Sequence, residues 1–177
     1  MNRWIGCAML ASLCCLVGAC GKKDQGKDIM TTAPKKVEHK VTQKMDSYAH
    51  SQSVEWLGST YTVMTNREPD MSLPLADDGY GGKYYDNTVK VRILRKDGTE
   101  FFSRTFKKSD FKAYVPDSFF KDGALTGIVF DKAEGDCLSF AASVGSPDKM
   151  SDEYVPLRLS VSRLGKVTIS QDSDSEE

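Results

Sequence analysis

The sequence predicts a mainly β fold, with about eight antiparallel strands in four hairpins that form a curved sheet, half-barrel or sandwich, and one or two short helical turns around 109–121. Two observations carry that expectation. From Ser53 onward the apolar residues recur with period two, and four glycine-centred turns interrupt the alternation, at Gly58, Gly98, Gly135 and Gly165.

In the first hairpin, SVEWLGSTYTV, a Gly58-Ser59 loop suits a type II′ turn and sets Trp56 opposite Tyr61 and Val54 opposite Val63. In the second, TVKVRILRKDGTEFFSRTF, Asp97-Gly98 is a type I′ signal that sets Ile93 opposite Phe102 and Val89 opposite Phe106. That register turns Arg104 toward the apolar side, either as a rim residue or as a buried guanidinium paired with an acid. The third, LTGIVFDKAEGDCLSFAASV, is expected to turn at Glu134-Gly135, facing Val129 to Phe140 and Leu125 to Val144; its second face is also apolar, which suggests a central place in the fold. The fourth, VPLRLSVSRLGKVTIS, needs a three-residue loop, Arg163 to Gly165, to face Val161 to Val167 and Leu159 to Ile169.

Between the second and third hairpins, Ser109 or Asp110 can cap a helical turn, Pro116 stops it and Gly123 ends a second one. Phe111, Tyr114, Phe119 and Phe120 would then roof one end of the sheet. A longer connection, REPDMSLPLADDGYGGKYYDN at 67–87, shows no period. Irregular connections of that length are uncommon unless they are functional or disordered. Its aromatic and acidic residues are candidates for a recognition surface, Asp77, Asp78, Tyr80, Tyr84 and Tyr85, against the alternative that the rings close the end of the sheet.

The amino end carries a second message. Residues 1–19 have one positive charge, a short apolar run and small residues, the layout of a signal peptide rather than a full transmembrane span. Val17-Gly18-Ala19-Cys20 matches a bacterial lipobox, so Cys20 is the expected lipidation site and the new amino terminus. Residues 20–52 then read as the lipidated cysteine and a flexible tether, with a short helix expected over Val37–Ala49; 53–171 is a single β-rich domain and 172–177 an acidic disordered tail.

Composition removes several functions. With 24 Lys and Arg against 25 Asp and Glu, no net field recruits nucleic acid. Once the leader is cut, Cys137 is the only cysteine besides Cys20, which rules out an internal disulfide framework. His39 and His50 both fall in the expected tether, which removes triad chemistry and histidine-based zinc from the domain. DDGYGG lacks calcium-loop spacing, and no nucleotide or metalloprotease motif occurs, so no metal and no cofactor are expected. Paired acids such as Asp131 with Glu134, or Asp77 with Asp86, leave a carboxylate-dependent hydrolase as the alternative.

The blocks REPDMSLP, YYDN, VRILRKDGTEFFSRTFKKSDF and GIVFDKAEGDCLSFAASV followed by DEYVPLRLSVSRLGKV resemble an uncharacterised lipoprotein family of Bacteroides-type bacteria, classed as a domain of unknown function. The resemblance spans about 53–171 and implies an envelope location, without an activity or a transferable functional residue. The expected function is a lipid-anchored envelope protein whose β domain binds a protein, peptide or glycan, with the hydrolase as the alternative.

Overall fold

A computed structural model describes residues 41–172. The expected leader, Cys20, most of the tether with His39, and the tail from 173 onward lie outside the described residues.

The described chain holds β1 (Gln43–Lys44), β2 (Tyr48–Trp56), β3 (Ser59–Pro69), β4 (Leu75–Asp77), β5 (Lys83–Tyr85), β6 (Asn87–Arg95) and β7 (Glu100–Lys107). A 3-10 turn (Lys108–Tyr114) and helix α1 (Asp117–Asp122) follow, then β8 (Ala124–Glu134), β9 (Cys137–Gly145), β10 (Tyr154–Ser162) and β11 (Val167–Gln171). The eight hairpin strands form two four-stranded antiparallel sheets, ordered β2-β3-β6-β7 and β11-β10-β9-β8. Both contribute to one core: Val63, Val89, Val91, Ile93 and Phe106 from the first, and Leu125, Ile128, Phe140, Leu157, Leu159 and Val161 from the second. Alternation along β6 and β10 puts one residue in two into that core. Each fully buried aliphatic or phenyl group contributes about 1.5–3 kcal/mol.

The mainly β expectation holds, and the registers refine it. The fourth hairpin pairs Val161 with Val167 and Leu159 with Ile169, as the pattern requires. The second keeps Val89 opposite Phe106 and Ile93 opposite Phe102, although its turn differs. Asp97 does not take a positive φ, as type I′ would demand. Its carboxylate instead accepts the Thr99 N–H at 2.9 Å, and Gly98 N–H donates to Arg95 O at 2.9 Å. This makes a three-residue loop, and a bulge at Phe101 restores the register.

The first hairpin turns at Leu57-Gly58, not Gly58-Ser59, so Trp56 faces Ser59 and Val54 faces Tyr61. Leu57 (φ +52°) and Gly58 (φ +73°) are both left-handed, the type I′ pattern. A slip of two residues leaves every side chain on its own face, so alternation cannot tell the registers apart. The left-handed leucine costs roughly 1–2 kcal/mol, and in this register the Trp56 ring packs edge-on against Tyr61 and Phe101, with centroids 5.2 and 5.7 Å away.

The third hairpin turns at Gly135-Asp136. Leu125 faces Val144 as expected, but Phe130, not Val129, faces Phe140. Extra residues at Thr126 and Asp131 shift the ladder twice, turning Ile128 and Phe130 inward and leaving Val129 exposed. Nor is this hairpin central, because β8 is a sheet edge. It lies beside β2 without a backbone ladder: the Tyr48 hydroxyl donates to Ile128 O at 2.9 Å and accepts the Ile128 N–H at 3.1 Å, and Trp56 Nε1 donates to Gly135 O at 3.1 Å.

The helical turns form where expected, with Phe111 fully buried and Tyr114, Phe119 and Phe120 packed against the core. Asp110 accepts the Lys107 N–H at 2.8 Å and pairs with Arg104, also at 2.8 Å, which places Arg104 at the rim over the Phe106 ring. Over 41–49 the expected helix is replaced by β1 and the start of β2, while residues 37–40 are not described. His50 therefore belongs to the sheet, opposite Thr65, and not to a tether.

Candidate functional site

The 67–87 connection is not an irregular loop. Arg67–Pro69 ends β3, and β4 and β5 pair as a short hairpin, with β1 added parallel to β5 through Gln43 opposite Tyr84 and Lys44 opposite Tyr85. Period two escapes notice here because each strand has three residues or fewer.

The turn between β4 and β5 is held by its own carboxylates. Asp77 accepts the Gly79 N–H at 2.7 Å and pairs with Lys83 Nζ at 2.6 Å. Asp78 accepts the N–H groups of Tyr80 and Gly82, each at 2.8 Å. A Cβ at Gly82 would meet the Asp78 carboxylate, which would have to swing away from the turn to make room. The hydrogen bond from Lys83, then that from Gly79, holds the Asp77 carboxyl below the usual carboxylate range.

The other half of the YYDN block turns inward. Asp86 is buried, accepts the N–H groups of Asn87 and Leu125 at 2.8 and 2.9 Å, and faces Lys108 Nζ at 3.5 Å. Lys108 also donates to Gly123 O and lies over the Phe120 ring. Asn87 Nδ2 donates to Leu125 O at 2.9 Å, so two adjacent side chains grip both backbone groups of Leu125 where β8 begins. This polar knot fastens the helical segment and β8 to the start of β6. The sequence reading offered Asp86 only as half of an acid pair and missed the knot.

Beside the β4-β5 turn lies a cleft of about 510 Å³, walled by the turn, α1 and the loop that follows β9. Of the expected recognition residues, Asp77 and Asp78 line it. Tyr80, which is 82% exposed, sits at the tip of the same turn. Tyr84 and Tyr85 are half-buried in β5 and do not line the cleft. Burial, followed by the charges of Asp148 and Asp78, pushes the Tyr84 phenol above its ordinary value. The sequence reading missed Asp152 and Glu153 from the loop after β9 and Tyr154 at the start of β10, together with Ser118, Phe119 and Asp122 of α1. DKMSDEY has no periodicity and reaches the cleft only through the fold.

Five carboxylates line the cleft, Asp77, Asp78, Asp122, Asp152 and Glu153, with no lysine, arginine or histidine among the lining residues. Such walls attract positive charge, and the half-exposed ring of Tyr154 and the half-buried Phe119 offer apolar surface beside them. A second cleft of about 220 Å³ shares Ser146, Glu153 and Tyr154, so Tyr154 borders both. Among the described residues, no group of three or more His, Cys, Asp or Glu is placed to hold a metal ion, and no helix is long and apolar enough to cross a membrane.

A family model described as "Domain of unknown function (DUF4738)" matches residues 26–169. A search of curated proteins finds no match to the chain.

Proposed function

Because the chain belongs to the domain-of-unknown-function family DUF4738, and membership brings no activity with it, we propose a function from the site: the protein is a membrane-anchored envelope lipoprotein of the Bacteroides type whose β domain is a non-enzymatic binding module. The lipid on Cys20 holds it to the membrane, and the partner is an envelope protein, peptide or glycan. The observation that carries the binding role is the cleft at the β4-β5 turn, whose volume falls in the usual range of about 300–1,000 Å³ for ligand sites. Val17 to Cys20 supports the anchor.

Binding is favoured over carboxylate-dependent hydrolysis by the state of the acids. A glycosidase needs a carboxyl free to give a proton to the leaving group, whereas the Asp77 carboxylate is occupied by Lys83 Nζ and the Gly79 N–H. Asp131 and Glu134 are exposed on β8, and Asp86 is committed to the buried knot.

Two variants test the proposal. Cys20→Ser should leave the leader uncut and the acyl mass absent, while a mature wild-type chain without acyl mass would overturn the anchor. On arrays of envelope peptides and glycans, Tyr154→Ala with Asp122→Asn should abolish capture while the thermal midpoint stays put. Capture unchanged by that pair would move binding away from the cleft.

A further inference from the structure

The outer face of β2-β3-β6 carries a second concavity of opposite character. Residues facing each other across a ladder share a side of the sheet. Ala49, Asn66 and Lys90 therefore form one row, and Ser51, Met64 and Arg92 form the next. Both rows point away from the core, because Val63, Val89, Val91 and Ile93 point into it.

Beside the two long cations, the small side chains of Ala49 and Ser51 leave a groove of about 380 Å³, with His50 and Thr65 also on its lining. No carboxylate lines it. Lys90 makes no ion pair or side-chain hydrogen bond among the described residues, and Arg92 gives its Nε–H to Glu100 at 3.1 Å.

We propose that this groove binds a small phosphorylated ligand through Lys90 and Arg92. The guanidinium presents a planar set of donors suited to phosphate oxygens, and the ammonium adds a mobile point charge next to it. The Ser51 hydroxyl, in the same row as Arg92, supplies a neutral donor. Glu68 accepts from Asn66 Nδ2 at 3.0 Å and Glu100 holds only the Arg92 Nε–H, so the Lys90 ammonium and the outer guanidinium nitrogens of Arg92 remain as donors for the ligand.

Pyrophosphate titrated into the ¹⁵N-labelled full chain in non-ionic detergent tests the assignment. Saturable shifts are expected for amides at 49–51, 64–66 and 90–92. Lys90→Gln with Arg92→Gln should weaken the apparent affinity at least about tenfold. Lys90→Arg in place of Lys90→Gln should recover most of the loss, and Lys112→Gln, whose ammonium lies over the Phe120 ring, should change nothing. Shifts that do not saturate, or that survive the double substitution, overturn the site. Binding to phosphatidylglycerol vesicles with none to pyrophosphate also overturns it, because the source would be a lipid headgroup at a membrane surface.

Discussion

Two aspartate–lysine pairs within the same region behave as opposites. Lys83 and Asp77 stand 2.6 Å apart at the lip of the cleft, with side chains 52% and 25% exposed. Lys108 and Asp86 stand 3.5 Å apart, with side chains 8% and 2% exposed. The closer pair is the weaker support, because water screens it and either partner can be solvated alone. The longer pair has no such refuge. Asp86 also satisfies two backbone N–H groups, so its loss strands a buried ammonium and two donors together. Burial and the number of dependants, rather than N–O distance, decide what a pair is for: one fastens the fold, and the other orders a turn at the edge of the cleft.

The sharpest way to break this contrast is Asp86→Ala, expected to cost about 3–5 kcal/mol in denaturant unfolding; a cost no greater than that of Asp77→Ala would show that the knot is not structural. Lys108→Met keeps an apolar stem and leaves Asp86 its two N–H donors, so a smaller loss of about 1–3 kcal/mol is expected. Asp77→Asn should leave the thermal midpoint unmoved. Its signature is local and depends on pH. Because the folded Asp77 carboxyl sits below its unfolded value, the order it gives the turn is present above about pH 4 and is lost as pH falls through the lower folded value. The Gly79 and Gly82 amide signals should report this as pH falls below about 4, and their constancy on acidification would detach Asp77 from the turn. The smallest effect is at Tyr84, whose phenol should ionise above the ordinary value of about 10. Ultraviolet titration of the parent against Tyr84→Phe measures it, and Asp148→Asn should bring it part of the way back.

What the sequence made legible follows from which signals are local. Alternation and turn glycines announced the hairpins, and the β10-β11 loop was read correctly because two-residue and three-residue loops predict opposite faces for Val167. At Leu57 the competing registers differ by two residues and present the same faces, so only the tertiary fit of Trp56 distinguishes them. In β8, two bulges reverse the facing of Val129 and Phe130, and nothing in the chain marks Thr126 or Asp131 as the extra residues. At the cleft, Asp77 and Asp78 were visible in a polar, glycine-rich turn. Asp152, Glu153 and Tyr154 were not, because they meet that turn only across the ends of separate strands. The groove at Lys90 was missed for a related reason. A lysine on an outward strand position looks like ordinary solvation until the ladder places Ala49 and Ser51 beside it.

The seam between β2 and β8 also determines how the domain carries a pull. A load arriving at residue 41 first meets β1, which holds β5 over two residues, and then Asp46, whose carbonyl is gripped by Arg67 and whose carboxylate is paired with Lys149. Arg67 is itself braced by Thr126 O on β8 and stacked on Tyr48. Along the chain these small attachments come before the long β2-β3 ladder, so a pull from the amino side would meet them first, as it meets the strain relief on a cable before the woven part.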